Sequence, residues 1–370
     1  MSELSLTVST DEAKRANDTE ISIRGEWVRV PAIPFGEKTV VVTGGLVRVA
    51  MIQSEEWLDT ELENPESCVQ ELIRRRKAGL RADVLTFAQK PPSTACRYEY
   101  PMEPDSIAVA YVPSFREWWE DLPQETRKNV RRAQKRGVEI IVQPFTDKLV
   151  NGILDINNES AFRQGRRFPH FGKSFEEVKR DYSSFVDRCD FICANHGTEL
   201  IGILKLVYRG DIASVLQLLV KQKHQDKRPA NALLAKVMEI CDNRSISYVT
   251  YGRFNYGNKG ENSLMEFKIR HGFREVLVPR YYVPLTARGL VWRKLKLYRG
   301  LMGILPSSII TAGLKLRSVR NNVKGVISRC SSMLEQPKRN RQMERSNPPA
   351  GSNAKVRLSR ETPTRHDGVQ

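Results

Sequence analysis

Strand-like runs open the pattern of apolar and polar positions at about Ile21. Residues 39–43 and 46–52 are two such runs separated by Gly44-Gly45, a turn signal that predicts a hairpin. In 65–79 the apolar residues Val69, Leu72 and Ile73 fall on one side of a helix, with Pro65 near its start and Gly79 at its end. Residues 81–87 and 106–112 read as strands. The stretch 114–137 divides at Leu122-Pro123 into two helical pieces, and Gly137 leads into a strand at 138–142. These elements predict a first α/β domain over 20–143, preceded by a flexible N-terminus over 1–19.

A second set, 144–286, starts with helices at 147–162 and 174–188, whose apolar residues recur at helical spacing. Strands at 191–194 and 200–208 flank His196-Gly197-Thr198, and a third at 212–220 follows the turn Arg209-Gly210-Asp211. Pro229 sits where a helix begins, and 230–241 is rich in strong helix formers. A strand at 248–251, a short helix at 263–271 closed by Gly272, and a strand at 275–283 complete the set. That order predicts an α/β class of fold, α+β in detail, with helices packed on the faces of a mixed sheet.

After Pro284, the bases Arg288, Arg293, Lys294, Lys296 and Arg299 interleave with Leu290, Val291, Trp292, Leu295, Leu297 and Tyr298. This predicts a basic amphipathic helical segment over 287–320 that could touch a membrane surface, followed by a disordered basic tail over 321–370. The tail matters for the charge. The chain carries 60 Lys and Arg against 43 Asp and Glu, a net of +17. From Lys315 onward thirteen of the bases face four acids, so about half of the excess lies there. Such a balance favours anionic partners: phosphorylated cofactors, nucleic acid or acidic membranes.

Six cysteines are scattered without a zinc-finger spacing, and the five histidines form no pair at metal spacing, so reduced thiols and no metal are expected. The first residues lack the basic start and apolar run of a secretory signal, and no run approaches the roughly 18 apolar residues that span a bilayer. A cytoplasmic location, with peripheral contact at most, is the expectation.

One segment carries a resemblance: Leu122-Pro123, Arg127-Lys128, Arg131-Arg132-Ala133 and Gly137-Val138 resemble the connecting segment of the FemAB-like acyl and aminoacyl transferases, within the GNAT-like superfamily. Arg228-Pro-Ala-Asn-Ala-Leu-Leu234, Tyr251-Gly252 and Leu264-Met-Glu-Phe-Lys-Ile-Arg-His-Gly-Phe273 are similar to the downstream helix, strand end and short helix of the same group. The resemblance spans about 82–284. It implies tandem GNAT-like domains and transfer of an acyl or aminoacyl group, from acyl-CoA or aminoacyl-tRNA, to an amine. The acceptor would be a small molecule, a sugar or a lipid-linked cell-envelope precursor. Before Gly252, where the family often has an acid and an aromatic, this chain has Thr250 and Tyr251.

Such chemistry needs a donor held by its phosphates, a polarised carbonyl and a deprotonated amine. Helix N-termini bind phosphate, so Lys227, Arg228 and Asn231 at the mouth of the helix near Pro229 are candidate donor ligands, although no glycine-rich loop stands there. Otherwise they form a basic turn capping an ordinary helix. Tyr251, Arg253 and Tyr256 lie just beyond a strand, where ligands bind in open α/β sheets. Tyr251 is a candidate acid or positioning group, while Arg253 and Tyr256 are candidate substrate ligands. Arg163 and Arg166, in a loop with glycine and aromatics, are candidate substrate ligands or part of a plain connector. Lys268 matches the family lysine and is a candidate for stabilising charge on the carbonyl or binding phosphate, and Glu159 is the candidate general base. The run 126–136 holds six bases and no acid, which suits tRNA, a polyanionic glycan or headgroups, or else pairs with acids elsewhere in the fold. A non-catalytic module that binds nucleic acid or an acidic membrane is the alternative function.

Overall fold

The computed structural model describes residues 17–299 apart from 24–25, 56–60, 78, 164 and 256–262. The first part of the chain forms β1 (Asn17–Ile23), β2 (Glu26–Phe35), β3 (Lys38–Thr43), β4 (Val49–Ile52), α1 (Pro65–Arg76), β5 (Val84–Ala88), β6 (Met102–Tyr111), α2 (Phe115–Asp121), α3 (Gln124–Lys135) and β7 (Val138–Gln143). The remainder forms α4 (Asp147–Asn158), β8 (Phe162–Arg163), β9 (Arg166–Arg167), α5 (Phe175–Tyr182), β10 (Cys189–His196), β11 (Glu199–Arg209), β12 (Ile212–Val220), α6 (Pro229–Asn243), β13 (Tyr248–Arg253), α7 (Ser263–Arg270), β14 (Arg274–Pro284) and α8 (Ala287–Lys294). The expected tail, the basic segment from 300 onward and residues 1–16 of the expected flexible N-terminus lie outside the described residues, whereas residues 17–19 of that N-terminus belong to β1.

Local chemistry sets most helix starts. Asn64, Ser114, Thr146 and Ser174 each accept a first-turn amide hydrogen bond, at the heads of α1, α2, α4 and α5, which satisfies a donor that no helical carbonyl can reach. At α5 the Glu177 carboxylate returns the bond to Ser174, a complete capping box. α4 ends at Asn158 and α5 at Tyr182, both short of the helices expected from spacing.

Twelve strands make one sheet in the order β1-β2-β3-β4-β5-β14-β6-β13-β12-β11-β10-β7. The order contains one pattern twice. β2, β3 and β4 are antiparallel, α1 crosses over, and β5 returns parallel to β4. Likewise β10, β11 and β12 are antiparallel, α6 crosses over, and β13 returns parallel to β12. The strand after each unit joins the other one: β6 pairs with β13, β14 pairs with β5, and β6 and β14 pair with each other at the centre. β7, which lies before residue 143, pairs with β10 beyond it.

Two cores share one face of this sheet. α1 packs Cys68 and Leu72 onto Ile33, Val40, Leu85 and Phe87, while α6 packs Leu233, Leu234, Val237 and Met238 with Ala133 and Trp118 onto Ala194, Leu204 and Val249. On the other face α4 and α5 cover Phe191, Cys193 and Ile203. Alternation along each strand lets one sheet serve both sides.

Candidate functional site

The parallel pair β12 and β13 parts early. Ile212, Ala213 and Ser214 face Tyr248, Val249 and Thr250, and the pairing then stops, although β12 runs on to Val220 and β13 to Arg253. The Ser214 and Thr250 hydroxyls bond at 2.8 Å at this last rung. Just beyond it the β11 register moves from Leu206↔Val215 to Lys205↔Gln217, leaving Leu216 as a bulge. On the other strand Gly252 takes a φ of +60°, and the register with β6 shifts between Thr250 and Arg253. Bulges re-aim side chains. Here Leu216 and Gln217 from β12, and Arg253 from β13, all reach a cavity of about 1120 Å3 on the sheet face covered by α4 and α5.

That cavity has a charged floor. Arg280 on β14 is buried and donates from Nε to Asp105 Oδ2 at 2.8 Å and from Nη1 to Glu55 Oε2 at 3.2 Å. Arg253 Nε lies 3.8 Å from Asp105 Oδ1, and Glu55 also accepts the Ala88 amide. Burial pushes the Glu55 carboxyl up, while the positive charge of Arg280 opposes the shift. The walls are aromatic. Tyr282 stacks on Tyr298 at 4.4 Å, Trp292 adjoins both, and Trp27 lines the far side.

On the α6 face the helix mouth lies beside a second cavity, of about 570 Å3, lined by Arg228, Asn231, Arg270, His271, Asn129 and Thr126 among others. No side chain caps α6, Pro229 occupies its first position, and Arg228 enters it with φ +62°. Asn231 is held by His271. Its Nδ2 lies 3.1 Å from Nε2 of that ring, whose Nδ1 is 2.7 Å from the Phe267 carbonyl. A carbonyl only accepts, so Nδ1 carries the proton and Nε2 accepts from Asn231. Burial agrees, holding the imidazole neutral with its pKa pushed down to about 4. Lys227 does not line this cavity, and its Nζ lies 3.8 Å from Asp226.

Between the two cavities lies Lys268. Its side chain is fully buried, its Nζ donates to the Arg253 carbonyl at 2.7 Å and stands 4.7 Å from the centre of the Tyr251 ring. Burial pulls its pKa down to about 8. Tyr251 packs edge-on to Phe273.

The other expected site residues are placed elsewhere. Glu159, the expected base, accepts the amides of Gln222 at 2.5 Å and Lys223 at 2.9 Å, so it closes the turn before α6 and lines neither cavity. Arg163 turns inward to the Val220 and Ile156 carbonyls at 3.0 and 2.6 Å and lies over the Phe168 ring, which makes it a strut rather than a surface ligand. Arg166 is exposed on the two-residue strand β9, and Tyr256 lies outside the described residues. Glu55, Asp105 and Arg280 escaped the sequence reading. The one signal was for Arg280, a base inside the otherwise apolar run 276–284 of β14.

Arg136, just after α3, pairs with Asp226 at 3.0 Å, but no carboxylate pairs with Arg127, Lys128 or Lys135 on α3 among the described residues. Among those residues no group of three or more His, Cys, Asp or Glu able to hold a metal occurs, and no helix is long and apolar enough to cross a membrane.

No family model matches the chain, and no curated protein matches it in sequence. Solved structures do. FemX aligns with a TM-score of 0.51 at 8% identity, over 78% of this chain and 93% of its own. The C-terminal domain of a putative lysylphosphatidylglycerol synthetase from Agrobacterium fabrum gives 0.48 at 12% identity, over 72% and 86%. L-PGS from Bacillus licheniformis gives 0.47 at 13%, over the same shares. The likeness to FemX is one of fold, and the strand pattern that occurs twice makes it a tandem fold.

Proposed function

We propose that the chain is an N-acyltransferase that moves an acyl or aminoacyl group from an anionic donor, acyl-CoA or aminoacyl-tRNA, to an amine. One observation carries the proposal: β12 and β13 separate beyond Ser214 and Thr250, between a helix mouth on one face and a charged, aromatic cavity on the other. A donor held by its phosphates at Arg228, Asn231 and Lys227 would extend its acyl end through this opening. The uncapped first turn of α6 adds backbone donors and the positive end of the helix dipole.

In the cavity, the acceptor amine arrives as an ammonium ion beside Glu55 and Asp105. Glu55 is the proposed base, because a carboxyl raised by burial holds a proton more readily, and each of its oxygens keeps a further lone pair. Glu55 takes one proton from the ammonium, the freed amine attacks the carbonyl, and the second nitrogen proton leaves to solvent as the bond to the donor's sulfur or ribose oxygen breaks. The Leu216 bulge is the proposed oxyanion donor, and Tyr251 with Lys268 would protonate the departing thiolate or ribose oxygen. Trp27, Tyr282 and Trp292 suit an acceptor with a ring face, such as a sugar or lipid-linked sugar.

Thermal unfolding with each donor tests this. Saturating acyl-CoA or aminoacyl-tRNA raises Tm in the intact protein and raises it less in Arg228→Ala, since ligands of the native state stabilise it by mass action. Silence from both donors removes the proposal. The unpaired bases on α3 favour one rival, a non-catalytic module that grips nucleic acid or an acidic membrane. That rival requires full RNA or vesicle binding with no product formed from either donor.

A further inference from the structure

α8 and the turn at 44–48 form one rigid edge, and we propose that this edge docks on an anionic membrane. Asp83 joins the two parts. Its Oδ2 accepts the Arg48 amide at 2.9 Å, and its Oδ1 accepts the Thr286 hydroxyl at 2.8 Å. Thr286 in turn caps α8 by accepting the Gly289 amide at 3.0 Å. Gly289 sits so close to the Asp83 carbonyl that an added Cβ would lie 1.9 Å from its oxygen. Across the top, the Arg288 guanidinium donates to the Leu46 carbonyl at 3.1 Å.

The inner side of α8 is occupied, since Trp292 adjoins the stacked rings of Tyr282 and Tyr298. Its outer side is apolar and open. Leu46 is 91% exposed, Leu295 59% and Val291 55%, with Val291 and Leu295 one turn apart. Around them stand the exposed bases Arg48, Arg288, Lys294 and Lys296, and residues 287–299 contain no acid.

The pairing of these features selects the partner. A nucleic acid backbone would answer the bases and leave three large aliphatic side chains in water. An anionic bilayer answers both, because its phosphates meet the bases while the aliphatic groups enter the boundary between headgroups and acyl chains. The rings on the inner side wall the cavity of about 1120 Å3, so docking would bring that cavity close to the lipid surface. The inference does not require that the protein transfer anything.

Sedimentation of the full chain with vesicles tests it, using phosphatidylcholine alone or mixed with phosphatidylglycerol. Binding is expected only to the mixed vesicles. The double variant Leu46→Glu/Leu295→Glu should bind them at least about tenfold more weakly, with an unchanged melting curve. A second variant, Lys294→Glu/Lys296→Glu, should lose binding as well. Equal sedimentation of wild type and the first variant would assign binding to residues after 299 and overturn the proposal. So would equal loss of poly-uridine binding and vesicle binding in both variants, because a surface for nucleic acid would then explain the data.

Discussion

At the scale of single residues, buried charge decides what can be tested. Lys268 titrates near 8 when folded against 10.5 for an ordinary lysine. Between those values the unfolded chain holds a proton that the folded one has released, so stability rises with pH across that window. Below about pH 8 both states are charged and the whole cost of burial is present. Lys268→Met should therefore remove a stabilisation that grows from pH 8 to 10.5, seen as a smaller rise in Tm than wild type shows, and should slow transfer about 10²-fold. Identical Tm profiles would mean that the ammonium is not desolvated. Arg280 poses the converse case. Arg280→Met leaves the buried Glu55 and the half-buried Asp105 without their common cation and should cost about 3–5 kcal/mol in urea unfolding. The loss should shrink as pH falls, because a protonated Glu55 no longer needs its partner. Arg228 adds a trade-off. Its φ of +62° is strained for any residue with a Cβ, so Arg228→Gly should stabilise the fold by about 1 kcal/mol while weakening donor binding. A variant both less stable and fully able to bind donor would remove the role given to this side chain.

At the scale of elements, the bulge in β12 can be removed cleanly. Leu216 is the residue that has no partner on β11, so its deletion restores a regular ladder and keeps Gln217 opposite Lys205. Circular dichroism should report a retained fold, whereas transfer should fall by about 10²-fold or more if the bulge supplies the oxyanion donor. Retained transfer would move that role to another group. The same region shows what sequence makes legible. Apart from the two-residue strands β8 and β9, helix and strand order in the second half followed directly from spacing, because Pro229, Gly272 and the turn Arg209-Gly210-Asp211 punctuate it locally. The helix mouth at Arg228 and Asn231 was readable for the same reason. Glu55, Asp105 and Arg280 were not, since Arg280 lies 175 residues from Asp105 and 225 from Glu55 along the chain and meets them only in the folded sheet. Arg163 shows the opposite failure. A base among glycine and aromatics looked like a surface ligand, yet backbone carbonyls bind it within the fold.

At the scale of the whole molecule, the exchange of β6 and β14 governs how the protein unfolds. Spacing predicted two α/β sets, but strand exchange has no periodic signature, because a strand reads the same whichever neighbour it joins. Its effect is to give each core a piece of the other half. Ala108, Ala110 and Val112, from β6 and the residue just after it, pack with α6, while Tyr281 and Val283 from β14 pack with α1. Neither core can be completed without the other half of the chain, so separate opening would expose apolar surface on both sides of the seam at once. The described residues accordingly fall within one compact unit. Calorimetry should give a single transition whose van't Hoff and calorimetric enthalpies agree, in contrast to the two transitions of independent domains. Residues 1–143 and 144–299 expressed apart should each be largely unfolded, and mixing them should recover folded material. Two resolved transitions, or a soluble half with a sharp melt of its own, would show that the exchanged strands do not couple the cores.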